Sequence, residues 1–303
     1  MQRLDCDRMF IAVMESGSFT AAAQRLGTSH GQASKLISRL EQSLGVQLFR
    51  RSTRSLTPTD VGNAYYQRVR PLIADYDALN DSVRNIAGSP SGVLKVSAPV
   101  TFGARQLTEH LVEFARRYTD IELDVSFNDR LVSVVDEGFD LALRIGHLED
   151  SNLVARKLCD IRVITLASAG YLATRGIPEH WSQLAQHDCI IDTNFREPAQ
   201  WRYRDAQGNL HTQTVRPRMR FANADVCLQA ACADLGITRL PTFVASDALQ
   251  QGLVRPLLQP YEAPPLGLFA VYPPAKYLAA RSRVLIDFLI AAFAGEPHWD
   301  RPL

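Results

Sequence analysis

The stretch from Ser18 to Glu41, SFTAAAQRLGTSHGQASKLISRLE, limits what this chain can fold into more than any other. A serine at 18 can take an amide at a helix start, and Phe19, Ala22, Ala23 and Leu26 follow at the three- and four-residue spacings of one helical face. Gly27 ends that helix, because the turn asks for a left-handed backbone that glycine adopts without steric cost. Ser29 opens a second helix. There Ala33, Leu36, Ile37, Leu40 and Leu44 face inward, Gln32, Ser34, Lys35, Ser38, Arg39 and Gln42 face outward, and Gly45 is the stop. Alanines at 22 and 23 let two helices cross closely. The outer face of the second helix carries the hydrogen-bonding groups that read base edges and phosphates. Two amphipathic helices joined by a glycine in any small helical core would share the pattern.

The next residues separate these readings. VQLFRRSTRSLTPT alternates apolar and polar residues, turns near Ser52–Thr53 and presents Arg50, Arg51 and Arg54. It reads as a two-stranded wing placed to reach phosphates or a minor groove. From Arg25 to Arg54, Arg25, Lys35, Arg39, Arg50, Arg51 and Arg54 face Glu41 alone, in a chain whose net charge is only +1. A basic head on a slightly acidic body implies a polyanionic partner for the head. Thr57, Pro58 and Asp60 then read as a capping box with Thr57 as the cap. In the long helix they open, Tyr65, Val69, Leu72, Tyr76, Leu79, Val83 and Ile86 recur at alternating spacings of four and three, the seam of a two-helix coiled coil. Dimerisation through this seam is the economical expectation, and packing against the chain's own body is the alternative. Pro71 should kink the helix, and Ala87 to Gly92, AGSPSG, is the linker.

Beyond the linker strand and helix alternate. VLKVSAP, IELDVSF, FDLALRIG, VITLAS, DCIIDT, TVRPRMRFAN, ITRLP and LFAVYPP read as strands. ARQLTEHLVEFARRY, RLVSVVDEG, DVCLQAACADLG and a terminal stretch from about Lys276 to Ala294 read as helices. Such βα units predict parallel, doubly wound sheets in two small lobes, with a cleft where strand ends converge. With 46% hydrophobic and 21% charged residues the chain has a globular composition. FIAVM, flanked by Asp5, Asp7 and Glu15, is too short for a signal core, and Asp287 interrupts VLIDFLIAAFA. A cytoplasmic protein without membrane contact is expected.

Through SGSFTAAAQRLGTSHGQASKLISRLEQSLGVQLFRRSTRSLTPTDVG, followed in order by SGVLKVSAP, FDLALRIG, LVARKL and DLGITRLP, the chain resembles LysR-type transcriptional regulators over essentially its whole length. The resemblance implies an N-terminal all-α winged helix–turn–helix with a long linker helix. An α/β region of two doubly wound, periplasmic-binding-protein-like subdomains would follow. The corresponding bounds are 1–58 for the DNA-binding domain, 59–91 for the linker and hinge, and 92–303 for the effector domain. Within the last, 92–161 with 267–303 would form one subdomain and 162–266 the other. It further implies double-stranded promoter DNA as partner, RNA polymerase as another, and homodimers assembling into homotetramers. A small organic effector would alter the outcome of DNA binding, and no cofactor or metal is expected.

Carried over by position, the DNA-facing set is Ser29, His30, Gln32, Ser34, Lys35 and Arg39 on the recognition helix with Arg50, Arg51, Thr53 and Arg54 in the wing. The chain departs from the common family pattern at Thr28, His30, Gly31, Gln32 and Ala33, so its base preference is its own. The effector pocket maps to Val100, Thr101 and Phe102 after the first sensor strand, to Asn128 and Gly146 at later strand ends, and to Asn194, Asn223 and Pro241 in the second lobe. Amide and hydroxyl groups at a helix start suit an anionic or carbonyl-bearing ligand; Thr101 capping its own helix is the alternative.

Rival functions find less in the sequence. There is no HExxH and no GxxxxGK[ST]. His180, His187 and Cys189 lack a regular metal-ligand spacing. Five cysteines, none in a CxxC, give no disulfide framework. A redox-sensing regulator would draw on Cys189, Cys227 or Cys232, yet Cys189 is distant in sequence and 227 and 232 point to different faces of one helix.

Overall fold

The computed structural model describes residues 2–51, 56–85, 90–130, 133–134, 137–147, 153–274 and 278–301. They fall into two compact units, Met1–Gly88 with Ala275–Ala280, and Ser89–Pro274 with Arg281–Leu303.

The first unit contains α1 (Gln2–Ser16), α2 (Phe19–Arg25), α3 (His30–Leu44), β1 (Phe49–Arg51), β2 (Leu56–Pro58) and α4 (Asp60–Asn85). The Ser18 hydroxyl accepts from the Ala21 amide and that of Ser29 from the Gln32 amide, so both expected caps form. Gly27 and Gly45 take the left-handed backbone, with φ of +62° and +69°. Ala22, Ala23, Ala33, Ile37 and Leu40 are buried with Cys6, Met9, Phe10 and Val13 of α1. Cys6, Met9, Phe10 and Val13 stand three or four residues apart, a helical face that the sequence reading passed over. Leu26 was expected on the inner face of α2 but is 42% exposed.

A second correction concerns the start of α4. Thr57 and Pro58 belong to β2, where Pro58 stands opposite Phe49 in the antiparallel register. The cap is Thr59, whose Oγ1 accepts from the Gly62 amide at 2.9 Å and donates to the Gln47 carbonyl at 2.8 Å. A Cβ at Gly62 would lie 2.2 Å from the Leu48 carbonyl oxygen, so helix and wing approach closely only over a glycine. The helix is continuous through Pro71.

The second unit holds β3 (Gly92–Ala98), α5 (Val100–Phe102), a π-helical turn (Gly103–Leu107), α6 (Thr108–Arg117), β4 (Ile121–Phe127), β5 (Leu141–Gly146) and β6 (Val154–Ile161). There follow β7 (Val163–Ala167), α7 (Ala169–Arg175), β8 (Cys189–Asp192), a hairpin of β9 (Gln200–Arg204) and β10 (Leu210–Thr214), and β11 (Pro217–Phe221). The remainder is α8 (Ala224–Cys232), β12 (Ile237–Pro241), α9 (Thr242–Gln250), β13 (Arg255–Leu257), β14 (Leu266–Tyr272) and α10 (Ala280–Ala292).

Two five-stranded sheets result, ordered β4-β3-β5-β14-β6 and β11-β8-β12-β7-β13. Both are mixed. β3 runs parallel to β4 and β5, and β8 parallel to β11 and β12, as the βα rhythm requires. β14 is antiparallel to β5 and β6, and β7 to β12 and β13. Parallel neighbours need a crossover helix, but β6 gives onto β7 through Arg162 alone, carrying the chain from one sheet into the other. The expected RLVSVVDEG helix does not form where it is described: Arg130, Val134, Glu137 and Gly138 lie in bends and turns, Ser133 in neither helix nor strand, and the other four residues lie outside the described residues. Among the described residues no helix is long and apolar enough to cross a membrane.

Candidate nucleic-acid interface and effector cleft

On α3 the buried side is Ala33, Ile37 and Leu40, and the opposite side is open. Ser29, His30, Gln32, Lys35 and Arg39 are exposed and Ser34 is half-buried. His30 leans edge-on against Phe19, 6.0 Å between ring centres. Arg50 is exposed on β1, and the backbone of Arg51 closes that strand. Thr53 and Arg54 lie outside the described residues. Glu41, the single acid of this basic stretch, accepts from the backbone amides of Leu48 and Phe49 at 2.8 and 3.1 Å. Its carboxylate fixes the wing to α3 rather than joining the cationic face.

GTSHG, Gly27 to Gly31, spells the GxSxG pattern of serine hydrolases, which the sequence reading missed. In those enzymes the serine sits on a strand-to-helix turn. Ser29 instead stands between two helices, its oxygen taken by the Gln32 amide.

The seam of α4 divides. Val69 is buried in the head's own core, and Tyr65 packs against it, donating its hydroxyl to Asp7 at 2.7 Å. Both were expected in a seam between chains and are instead engaged by α1. Leu72, Tyr76 and Leu79 are 65%, 44% and 43% exposed. Of Val83 only the helical backbone is described, and Ile86 lies outside the described residues.

The predicted effector residues also divide. Phe102 is wholly buried against Phe243, Phe293 and Trp299, a core position, so it leaves the candidate site. Thr101 is 7% exposed inside α5 rather than at its cap, which falls to Pro99 with no side-chain bond. The Val100 amide, expected to face a ligand, donates to Asp129 Oδ1 at 2.9 Å. Asn128 Oδ1 accepts from the Arg130 amide, and Asn223 Oδ1 caps α8 through the Val226 amide. Gly146 pairs with Gly267 on β14, and Pro241 precedes α9. Asn194 is exposed and donates to Asp129 Oδ2 at 3.3 Å, tying the end of β4 to the end of β8.

Three charged residues here escaped the sequence reading. Arg144 donates to Ser97 Oγ at 3.0 Å and to the Leu143 carbonyl at 2.7 Å. Burial presses its pKa down while Asp129 and Glu137 oppose the shift. An arginine inside the apolar strand LALRIG was the available signal. Asp129 is the second, and Asp192 the third. Asp192 is 7% exposed; burial pushes its carboxyl up to about 6, against the bond it accepts from the Asn194 amide. The native state therefore binds this proton more tightly than the unfolded chain. Stability falls as pH rises from about 4 to about 6, and above that the full penalty of about 2–3 kcal/mol stands. Asp192→Asn keeps an acceptor for Asn194 and should melt above the wild type at neutral pH, with the advantage vanishing near pH 4. Equal melting at neutral pH would contradict this placement.

An open cavity of about 430 Å³ lies elsewhere, between α8 and α9, walled by Leu228, Val244, Ala248 and Leu253. Arg105 at its rim bonds Asp225 and Asp247 at 2.8 and 3.4 Å. None of the predicted effector residues lines it.

Cys189 and Cys227 are buried, and burial pushes both thiols up to about 12. A thiol that resists ionisation is a poor redox sensor. Cys232 is half-buried, its thiol also raised by burial. His180 caps a 3-10 turn and His187 meets the Tyr171 hydroxyl, so neither joins Cys189 in a metal site. Among the described residues no cluster of three metal-ligating side chains occurs.

An exposed polar helix in a winged head and a two-sheet α/β body define a DNA-binding regulator with a ligand-sensing domain. Residues 7–63 match the bacterial regulatory helix-turn-helix protein, lysR family, and residues 87–294 match the LysR substrate binding domain. The chain belongs to the LysR family of transcriptional regulators, whose members are not enzymes. It is 35% identical over 282 residues to an uncharacterized HTH-type transcriptional regulator of Haemophilus influenzae, covering 92% of this chain and 96% of that one. It is 33% identical to the HTH-type transcriptional regulator PtxR of Pseudomonas aeruginosa, over 95% and 92% of the two chains. The solved structure of CrgA, a LysR-type regulator from Neisseria meningitidis, is similar with a TM-score of 0.61, 31% identity and coverage of 96% and 99%.

Proposed function

We propose that α3 lies in the major groove of promoter DNA, with Ser29, His30, Gln32, Ser34, Lys35 and Arg39 toward bases and phosphates. Arg50, Arg51, Thr53 and Arg54 reach the neighbouring backbone. The observation that carries this is the open polar face of α3 with its one acid, Glu41, turned back onto the wing. The head spans 1–58, the dimerising segment 59–91 and the sensor 92–303, its two subdomains divided at 162 and 266. Heads pair through Leu72, Tyr76 and Leu79, dimers join as tetramers, and RNA polymerase is a further partner in the cytoplasm. Footprinting on the DNA upstream of its own gene should protect two half-sites about one helical turn, or a multiple, apart. The absence of any protected site there and on neighbouring promoters would refute this reading.

The effector enters between the two sheets, released and not converted, near Thr101, Asn128, Gly146, Asn194 and Asn223. Asp129 already holds the α5 amide and Arg144 supplies the nearby positive charge, so the ligand carries both a donor and an anionic or carbonyl group. Thr101→Val keeps the shape and deletes a hydroxyl. Calorimetry with candidate acids and amides should show a loss of about 0.5–1.5 kcal/mol, more for a charged acceptor. Equal affinities would clear Thr101 of the role.

A further inference from the structure

Arg239 stands on β12 opposite Thr165 of β7. By the two-residue period of a strand it shares the sheet face of Ile237, and that face packs Ile237, Ile191 and Ala167 against Trp201 and Tyr203 of the hairpin. A guanidinium thus enters an apolar layer while the residue stays partly open to solvent. Burial presses its pKa below the ordinary arginine value, Arg202 adds a second positive charge, and Tyr203 is the group that opposes the shift. The acids that border the hairpin are engaged elsewhere. Glu262 holds Arg162 through two bonds of 2.7 and 2.9 Å, and Glu197 accepts from Arg202 at 3.4 Å. Among the described residues no carboxylate pairs with Arg239 and no oxygen accepts from it. A guanidinium keeps its charge even where it is desolvated, so this cation calls for an anion.

We propose that Arg239, with the hydroxyl pair of Tyr203 and Thr165, forms an anion site in the second lobe that takes the carboxylate of a small organic acid. A carboxylate meets a guanidinium through two parallel N–H···O bonds. Tyr203 and Thr165 lie 2.8 Å apart, oxygen to oxygen. One hydroxyl donates to the other, leaving one O–H to donate to the acid. The layer around the guanidinium, with Ile191, Ile237 and Trp201, is apolar and disfavours a fully hydrated oxoanion such as phosphate. The site shares no residue with the cluster at Thr101 and Asn128, and does not depend on that cluster binding an effector.

The test is thermal denaturation of the full-length protein in sodium benzoate, acetate or phosphate, with chloride holding ionic strength constant. Benzoate should raise the melting temperature saturably above the chloride reference. Arg239→Met should weaken the apparent affinity about tenfold or more, as loss of a bidentate charged pair requires. In chloride alone it should melt above the wild type, because methionine fills the layer without a desolvated charge. Tyr203→Phe, which leaves Arg239 in place, should weaken the response several-fold and serves if Arg239→Met fails to fold. Benzoate acting no differently from chloride, phosphate outdoing it, or an undiminished response in the Arg239 and Tyr203 variants would each overturn the proposal.

Discussion

Leu72→Asp should convert the protein to a monomer and reduce operator affinity by about 10²–10⁴, the loss expected when two linked contacts become one. Among the described seam residues Leu72 is the most exposed, at 65%, outside the head core that contains Val69. The variant's heads should therefore fold. In a dimer two aspartates would meet across an apolar seam with no partner for either charge. Light scattering gives the mass and a binding titration the affinity. A variant with the wild-type mass would show that these side chains do not hold the chains together.

Changes on the face of α3 should separate reading from holding. Gln32→Ala is expected to cost about 1–3 kcal/mol on the operator and little on unrelated DNA, because a bidentate base contact is lost. Arg39→Ala should weaken binding to all sequences alike and lower the slope of log affinity against log salt by about 1. Both residues are exposed, so neither change should alter folding. Circular dichroism checks that, and titrations on operator and scrambled DNA separate the two effects. Equal losses on both DNAs for Gln32→Ala would remove it from base reading.

The head was legible because its signals are local. Caps at Ser18 and Ser29, left-handed glycines at 27 and 45 and apolar spacing on α3 are each decided by a few neighbouring residues. The Thr57 cap failed because a capping box and the end of a strand share the sequence TPTD; the pairing of Pro58 with Phe49 decides between them. The seam failed in part for a similar reason. The same heptad positions serve an internal helix as well as a foreign one, and α1, which claims Tyr65 and Val69, had gone unread. In the sensor, parallel strands were legible from the βα rhythm, while antiparallel β14 and β7 depend on pairings distant in sequence. The cleft was the least legible. Val100 and Phe102 stand beside Thr101, but one is tied to Asp129 and the other lies in an aromatic core. Asp129 and Asp192 from two strand ends converge with Arg144 from within β5, and only the fold brings them together.

Binding of promoter DNA by the cationic, polar face of α3 and the wing is decided by affinity for the upstream fragment across a salt series, in the wild type and in Arg39→Ala. A linear fall of log affinity with log salt is expected, steep in the wild type and shallower by about 1 in the variant. Binding independent of salt, or the same slope in both proteins, would contradict it.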